Sequence, residues 1–140
     1  MANVIYNSFK KKIMDGSIDL DTDTIKVALV TSSYTPSADN HDFFDDITNE
    51  VSGTGYSAGG ATLANKAVTQ DNTDDEGVFD ADDVSWASSS ITARGAVLYK
   101  STGVAATSPL ICYFDFTSDR ITDGGTFTIQ WNSEGILNLG

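Results

Sequence analysis

Apolar positions along the chain recur at two different spacings, and the change from one to the other marks the elements. Val4, Ile5, Phe9 and Ile13 fall near helical intervals with Lys10, Lys11 and Lys12 between them, and Asp15-Gly16 follows as a stop signal. This spacing predicts one helix over residues 3–14, its apolar stripe against a sheet and its lysines complementing the C-terminal end of the helix dipole. From residue 24 the period becomes two. Ile25, Val27 and Leu29 face one way and Lys26, Ala28 and Val30 the other, which predicts a strand over 24–31.

Shorter alternating runs follow. Residues 61–69, 78–79, 84–86, 94–100, 110–116 and 126–131 read as strands, separated by clusters of Gly, Ser, Asn and Asp. Asp39 or Asn40 is placed to cap a short helix through Phe43, Phe44 and Ile47. The stretch 50–60 carries Gly53, Gly55, Gly59 and Gly60 around Tyr56 and reads as an exposed loop; 70–77 and 117–125 read as polar connections. The ending, GGTFTIQWNSEGILNLG (124–140), reads as a strand region entered through turn residues, as expected of a self-contained small module. Strands at this spacing with little helix between them predict a mainly β, single domain over 1–140: an antiparallel β-sandwich, jelly-roll or Ig-like, with an N-terminal α-helix. No linker and no internal repeat is evident.

Composition sharpens this picture. A chain of 140 residues that is 40% hydrophobic and 10% aromatic can bury a core, and its apolar residues come in patterned runs unlike those of a disordered segment. The formal charge of −12, from 20 acids and 8 bases, argues against nucleic acid and anionic membranes as partners. It suits either plain solubility or a partner with a basic face. Cys112 is the single cysteine and lies in an apolar run, so no internal disulfide forms and a small buried hydrophobe is expected there. No run reaches the length of a membrane span and the N-terminus lacks the apolar core of a signal peptide, which predicts a soluble protein made in a cytoplasm.

Catalytic chemistry finds little footing. The single histidine, His41, has no nucleophile beside it in sequence and reads as an exposed or capping residue. Gly53-Thr-Gly55 lacks the lysine and helix of a phosphate loop. Asp19, Asp21 and Asp23 open like an EF-hand, but Thr24 stands at its glycine position and Val30 at its glutamate position. Asp74, Asp75, Glu76, Asp80, Asp82 and Asp83 form a denser acidic group, readable as a solvated edge or, less simply, a turn-borne calcium site. Trp86, Trp131, Tyr99 and Tyr113 could line a sugar cleft, but on alternating strands they read as core or interface. Arg94 and Arg120 stand alone in an acidic chain and are expected in ion pairs. No catalytic residue, cofactor or metal is assigned.

Taken in order, several motifs carry a resemblance. They are the helix closing at Asp15-Gly16, DLDTDTIKVAL (19–29), YTP (34–36), HDFF (41–44), EVSGTGY (50–56), Gly59-Gly60, FDADDV (79–84), AVLYK (96–100), SPL (108–110) and the ending from Gly124. With these the chain resembles a family of small tailed-bacteriophage virion proteins, encoded among head and tail structural genes and called decoration, head-fibre or structural proteins. The resemblance spans essentially the whole sequence and implies no catalytic residues. It implies a non-enzymatic capsid decoration, or cement, protein in the virion that binds across subunits of the major capsid protein and stabilises the mature head. It further implies a homo-oligomer, a trimer by preference. A tail component contacting the host, with 50–60 and 70–77 as its receptor loops, is the alternative. Lys10, Lys11, Lys12 and Tyr56 are the candidate contacts to capsid or partner.

Overall fold

A computed structural model describes residues 3–140. Its backbone is mainly strand, every ladder is antiparallel, and one short helix lies near the N-terminus. The centre is a five-stranded sheet. In spatial order it consists of β1 (Val4–Ile5), β8 (Leu110–Ile121), β7 (Thr92–Lys100), β2 (Ile25–Val30) and β3 (Ala61–Thr62). The chain of β7 runs back through a bend into β6 (Val84–Ser89), and that of β8 runs forward through a bend into β9 (Gly125–Ile129). β6 and β9 pair with each other, so one long two-stranded ribbon folds over on itself and supplies two layers of a sandwich. β4 (Ala67–Asp71), β5 (Glu76–Asp80) and β10 (Leu137–Leu139) form a third, three-stranded sheet in the order β10-β5-β4.

The ribbon bends because its strands carry extra residues. On β6, Ser88 adopts φ 50° where the register with β9 slips between Trp86 and Ser89. On β8 the slip is larger: Ala93 pairs with Arg120 and Gly95 with Asp115, so Arg94 alone faces residues 116–119. Thr117 takes φ 67° inside this bulge, and Arg94 clamps it, with Nε 3.4 Å from Asp115 Oδ1 and Nη1 3.9 Å from Asp119 Oδ1. Arg94 is thus in the ion pairs expected of it. Arg120 instead donates to the Phe116 carbonyl at 3.4 Å.

The alternation of β2 is borne out, with both of its faces buried. Ile25, Val27 and Leu29 join Ala96, Leu98, Ile111, Phe79, Trp86 and Phe127 in the core between the layers. Ala28 and Val30 join Val97, Tyr99, Leu110, Tyr113, Tyr6 and Tyr34 in a second cluster on the other side. That second face is covered by the chain around residues 34–47, where Phe44 stacks on Tyr99 at 4.1 Å between ring centroids. Cys112 lies in the first cluster, buried as expected.

Several local expectations shift; of 117–125, expected as a polar connection, residues 117–121 belong to β8, held in the ladder by Thr92 and Ala93. The helix α1 spans Asn7–Met14, because Val4 and Ile5 pair with Tyr113 and Cys112 as β1. Two apolar neighbours serve a strand edge as well as a helical stripe, and here the edge of β8 takes them. The segment 61–69 is two strands, β3 and β4, parted by Asn65 at φ 53°. The capping aspartate of the 3-10 turn Phe44–Asp46 is Asp46, whose Oδ2 accepts the amides of Asp42 and Phe43 at 2.8 and 3.1 Å. Asp39 instead accepts from the Asn7 side chain at 2.7 Å.

Gly60 marks a close crossing of backbones. It sits at φ 80°, and a Cβ there would lie 1.8 Å from the Val27 carbonyl oxygen. Gly60→Ala should therefore destabilise the fold by about 3 kcal/mol or more, combining left-handed strain with overpacking. Gly124, at φ 72° with nothing within 4 Å, is the control. Gly124→Ala should cost only about 1–2 kcal/mol, the strain alone, by urea unfolding.

Candidate functional site

The four candidate contacts fall in two distinct settings. Lys10, Lys11 and Lys12 follow the buried Phe9 on α1. Lys10 and Lys11 are exposed and Lys12 is half-buried, its ammonium 4.8 Å from the Phe43 ring centroid. Lys10 donates to Asn7 Oδ1 at 3.2 Å, and Lys11 lies 3.8 Å from the Asp15 carboxylate one turn on. Lys10 and Lys11 remain available to a partner, since exposed contacts of this kind hold little energy.

Tyr56 is placed differently. Its hydroxyl donates to Glu50 Oε2 at 2.6 Å and accepts the Leu29 amide at 2.9 Å, and its ring packs near Trp86. The reason lies in β2, whose outer edge β3 covers only at Lys26 and Val27. Beyond that point the segment 49–59 takes over. Val51 N–H donates to the Leu29 carbonyl, Thr31 N–H to the Asn49 carbonyl, and the Tyr56 phenol receives the Leu29 N–H. Glu50 Oε2 also accepts the Gly59 amide at 2.7 Å, and Tyr99 donates to the Gly59 carbonyl at 2.5 Å. The reading of 50–60 as an exposed loop holds for residues 52–55, 57 and 58, but the loop also caps a sheet edge, and Tyr56 is a half-buried anchor within it. Burial and the Glu50 hydrogen bond hold the Tyr56 phenol well above its ordinary pKa, so it remains a donor.

The acidic groups divide by use. Asp19 accepts the amides of Asp21 and Thr22, while Asp23 accepts the Asp19 amide and the Lys100 ammonium, at 2.7 and 3.1 Å. The carboxylates of Asp19 and Asp23 build a turn. Of the denser group, Asp80 accepts its neighbour's amide from Ala81, Asp82 the Asn65 side chain, and Asp83 the Trp131 amide. Asp74 and Glu76 gather instead with Asp71, with one carboxylate oxygen from each within 4.8 Å of the others. Asp71, absent from the sequence-level group, is drawn in by its own turn, in which Oδ1 accepts the amides of Thr73 and Asp74.

His41, half-buried, ends a hydrogen-bonded chain that starts at the buried Tyr6 and Tyr34. Tyr6 and Tyr34 hydroxyls lie 2.8 Å apart, Tyr34 Oη lies 2.9 Å from His41 Nδ1, and the Ser37 amide donates to the same nitrogen at 3.2 Å. Burial raises the Tyr34 phenol to about 12. With Nδ1 accepting the Ser37 amide, the neutral ring carries its proton on Nε2. Only spatial packing brings Tyr6, Tyr34 and His41 together; their separation in sequence gave no signal.

Two surface grooves lie among the described residues. One of about 540 Å³ lies between the bulge of β8 and β9, reaching Phe116, Arg120 and Phe127. The other, about 410 Å³, lies between β1 and the 132–138 segment. Neither gathers a nucleophile, base and orienting acid. Trp86, Tyr99 and Tyr113 are buried in the core, as their alternation suggested, and half-exposed Trp131 packs against Phe114. Compared with known proteins, the chain matches no family model, no curated protein and no solved structure.

Tyr56→Phe should cost about 1–3 kcal/mol, because it strands the Leu29 amide at a covered edge. Urea unfolding should show a lower midpoint at unchanged slope. The carboxyl of Asp46 is held below its ordinary range by the amides of Phe43 and then Asp42. A depressed carboxylate stabilises the fold above its unfolded pKa of about 3.9 and loses that contribution as pH falls through the folded value. The Tm of wild type should therefore drop more steeply than that of Asp46→Asn as pH falls from about 5 to 2.

Proposed function

We propose that the chain is a non-enzymatic structural component of a tailed-phage virion, a capsid decoration protein that bridges neighbouring subunits of the major capsid protein. The observation that carries this reading is the ordered run of motifs from Asp15-Gly16 to the Gly124 ending, which resembles such proteins along nearly its whole length. The fold is compatible with that work. Antiparallel strands buried on both faces make a stiff module that can be repeated many times over a shell.

The mechanism is linkage. A module that binds only assembled subunits stabilises the assembly by its own binding free energy. Weak single contacts become strong when several modules are joined, and a trimer would supply that multiplication. Lys10 and Lys11 on α1 are the proposed contacts to an acidic capsid face. Tyr56 belongs to the scaffold instead.

The test is the copy number of this chain in purified virions, by quantitative mass spectrometry against the major capsid protein. A ratio near stoichiometric, with release of the chain lowering the temperature at which heads open, is the expected result. A handful of copies per particle would overturn the cement role and favour a tail tip or fibre component.

A further inference from the structure

We propose that the outer edge of β4 is a docking site for an extended, lysine- or arginine-bearing segment of a partner protein, which adds to the three-stranded sheet as a further strand. The proposal is independent of the virion reading and holds for any partner of this chemistry.

β4 ends its sheet, with β5 on one side and no strand on the other among the described residues. It pairs with β5 over five consecutive positions, Ala67↔Asp80 to Asp71↔Glu76, without a bulge. Its first four residues are all exposed, Val68 at 52%. Among the described strands of five residues or more, β4 alone has no buried residue on either face. Such a strand gains nothing from core burial and rests on one hydrogen-bonded ladder, yet it holds regular geometry.

Exposed edges are usually blunted by bulges, lysines, proline or shortness. The five-stranded sheet uses one of those devices at its ends, where β1 and β3 have two residues each. β4 has none of them, and its Ala-Val-Thr-Gln run carries no charge. Its backbone groups are open to strand addition.

Charge selects the occupant. From 66 to 83 the only base is Lys66, against seven acids. Asp71 and Glu76 face the same side of the sheet as a cross-strand pair, and Asp74 joins them at the turn. A lysine or arginine placed opposite Asp71 would meet these three carboxylates. Three positions further along an antiparallel partner, a residue opposite Val68 lies on the other face, where an apolar side chain would cover it. The strand edge supplies the binding, and the acids determine which strands are accepted.

The experiment titrates the full chain, labelled with 15N, with a short capped peptide of alternating valine and lysine at low salt. Shifts should appear along β4 and at the Asp71–Glu76 turn, with affinity weakening about tenfold between low salt and 0.2 M. The same peptide with glutamate for lysine should produce none. Val68→Lys with Gln70→Lys should abolish binding while leaving circular dichroism and Tm near wild type. Asp71→Asn with Glu76→Gln, which keeps the turn acceptor, should weaken binding severalfold and flatten its salt dependence. Equal binding of the glutamate peptide, shifts at the turn without β4, or no shift at millimolar peptide would each overturn the proposal.

Discussion

Burying both faces of a strand removes its side chains from water on two sides and leaves its backbone edges as the only groups still to be satisfied. β2 and β7 impose this constraint on the whole chain. One face requires a second layer, and the bent ribbon provides it by folding β6 and β9 over the centre. The other face requires a cover too small to be a sheet, and the 34–47 segment fills that place with Phe44, Tyr34 and His41, joined by Tyr6 from the start of α1. The free edge of β2 then requires donors and acceptors, which the segment 49–59 supplies through backbone groups and one phenol. Each irregular piece of the protein answers a specific need of the two central strands.

This hierarchy explains what could be read in the residues. β2 was legible because its alternation survives burial on both faces, with small or branched residues on each. The ribbon strands were legible because their turns are rich in Gly, Ser and Asp. The segment 50–60 was legible as a loop but not as an edge cap, since its glycines and serines look like those of any surface loop and its partners lie far off at Leu29 and Tyr99. The bulge of β8 was hidden for a related reason. Thr117, Ser118 and Asp119 read as a polar connection, and only Arg94 across the ladder shows that the strand continues past them. Val4 and Ile5 satisfied two periods at once, and the choice between them was made by β8.

Charge is arranged on the same principle. Lys100 and Arg94 reach inward to Asp23, Asp115 and Asp119, fixing turns and the bulge, while Asp15, Asp19 and Asp46 hold backbone amides. Acids near the central sheet are therefore largely structural. The β4–β5 hairpin differs, for the carboxylates of Asp71, Asp74 and Glu76 crowd together at its turn. The net charge thus separates into a structural part and a cluster concentrated at one turn.

Cys112 sits where β8 passes between β1 and β7, in the same core as Phe9 and Ile111. Burial both shields its sulfur and raises its thiol pKa far above the ordinary range, so the reactive thiolate is scarce in the native state. Cys112 is only 2% exposed, at the floor of the groove beside β1, so its modification by a thiol reagent quickens when β1 peels away or the sandwich opens. The single sulfur is thus a native clock: the rate at which it is modified reads how often the molecule breathes deeply enough to expose its centre.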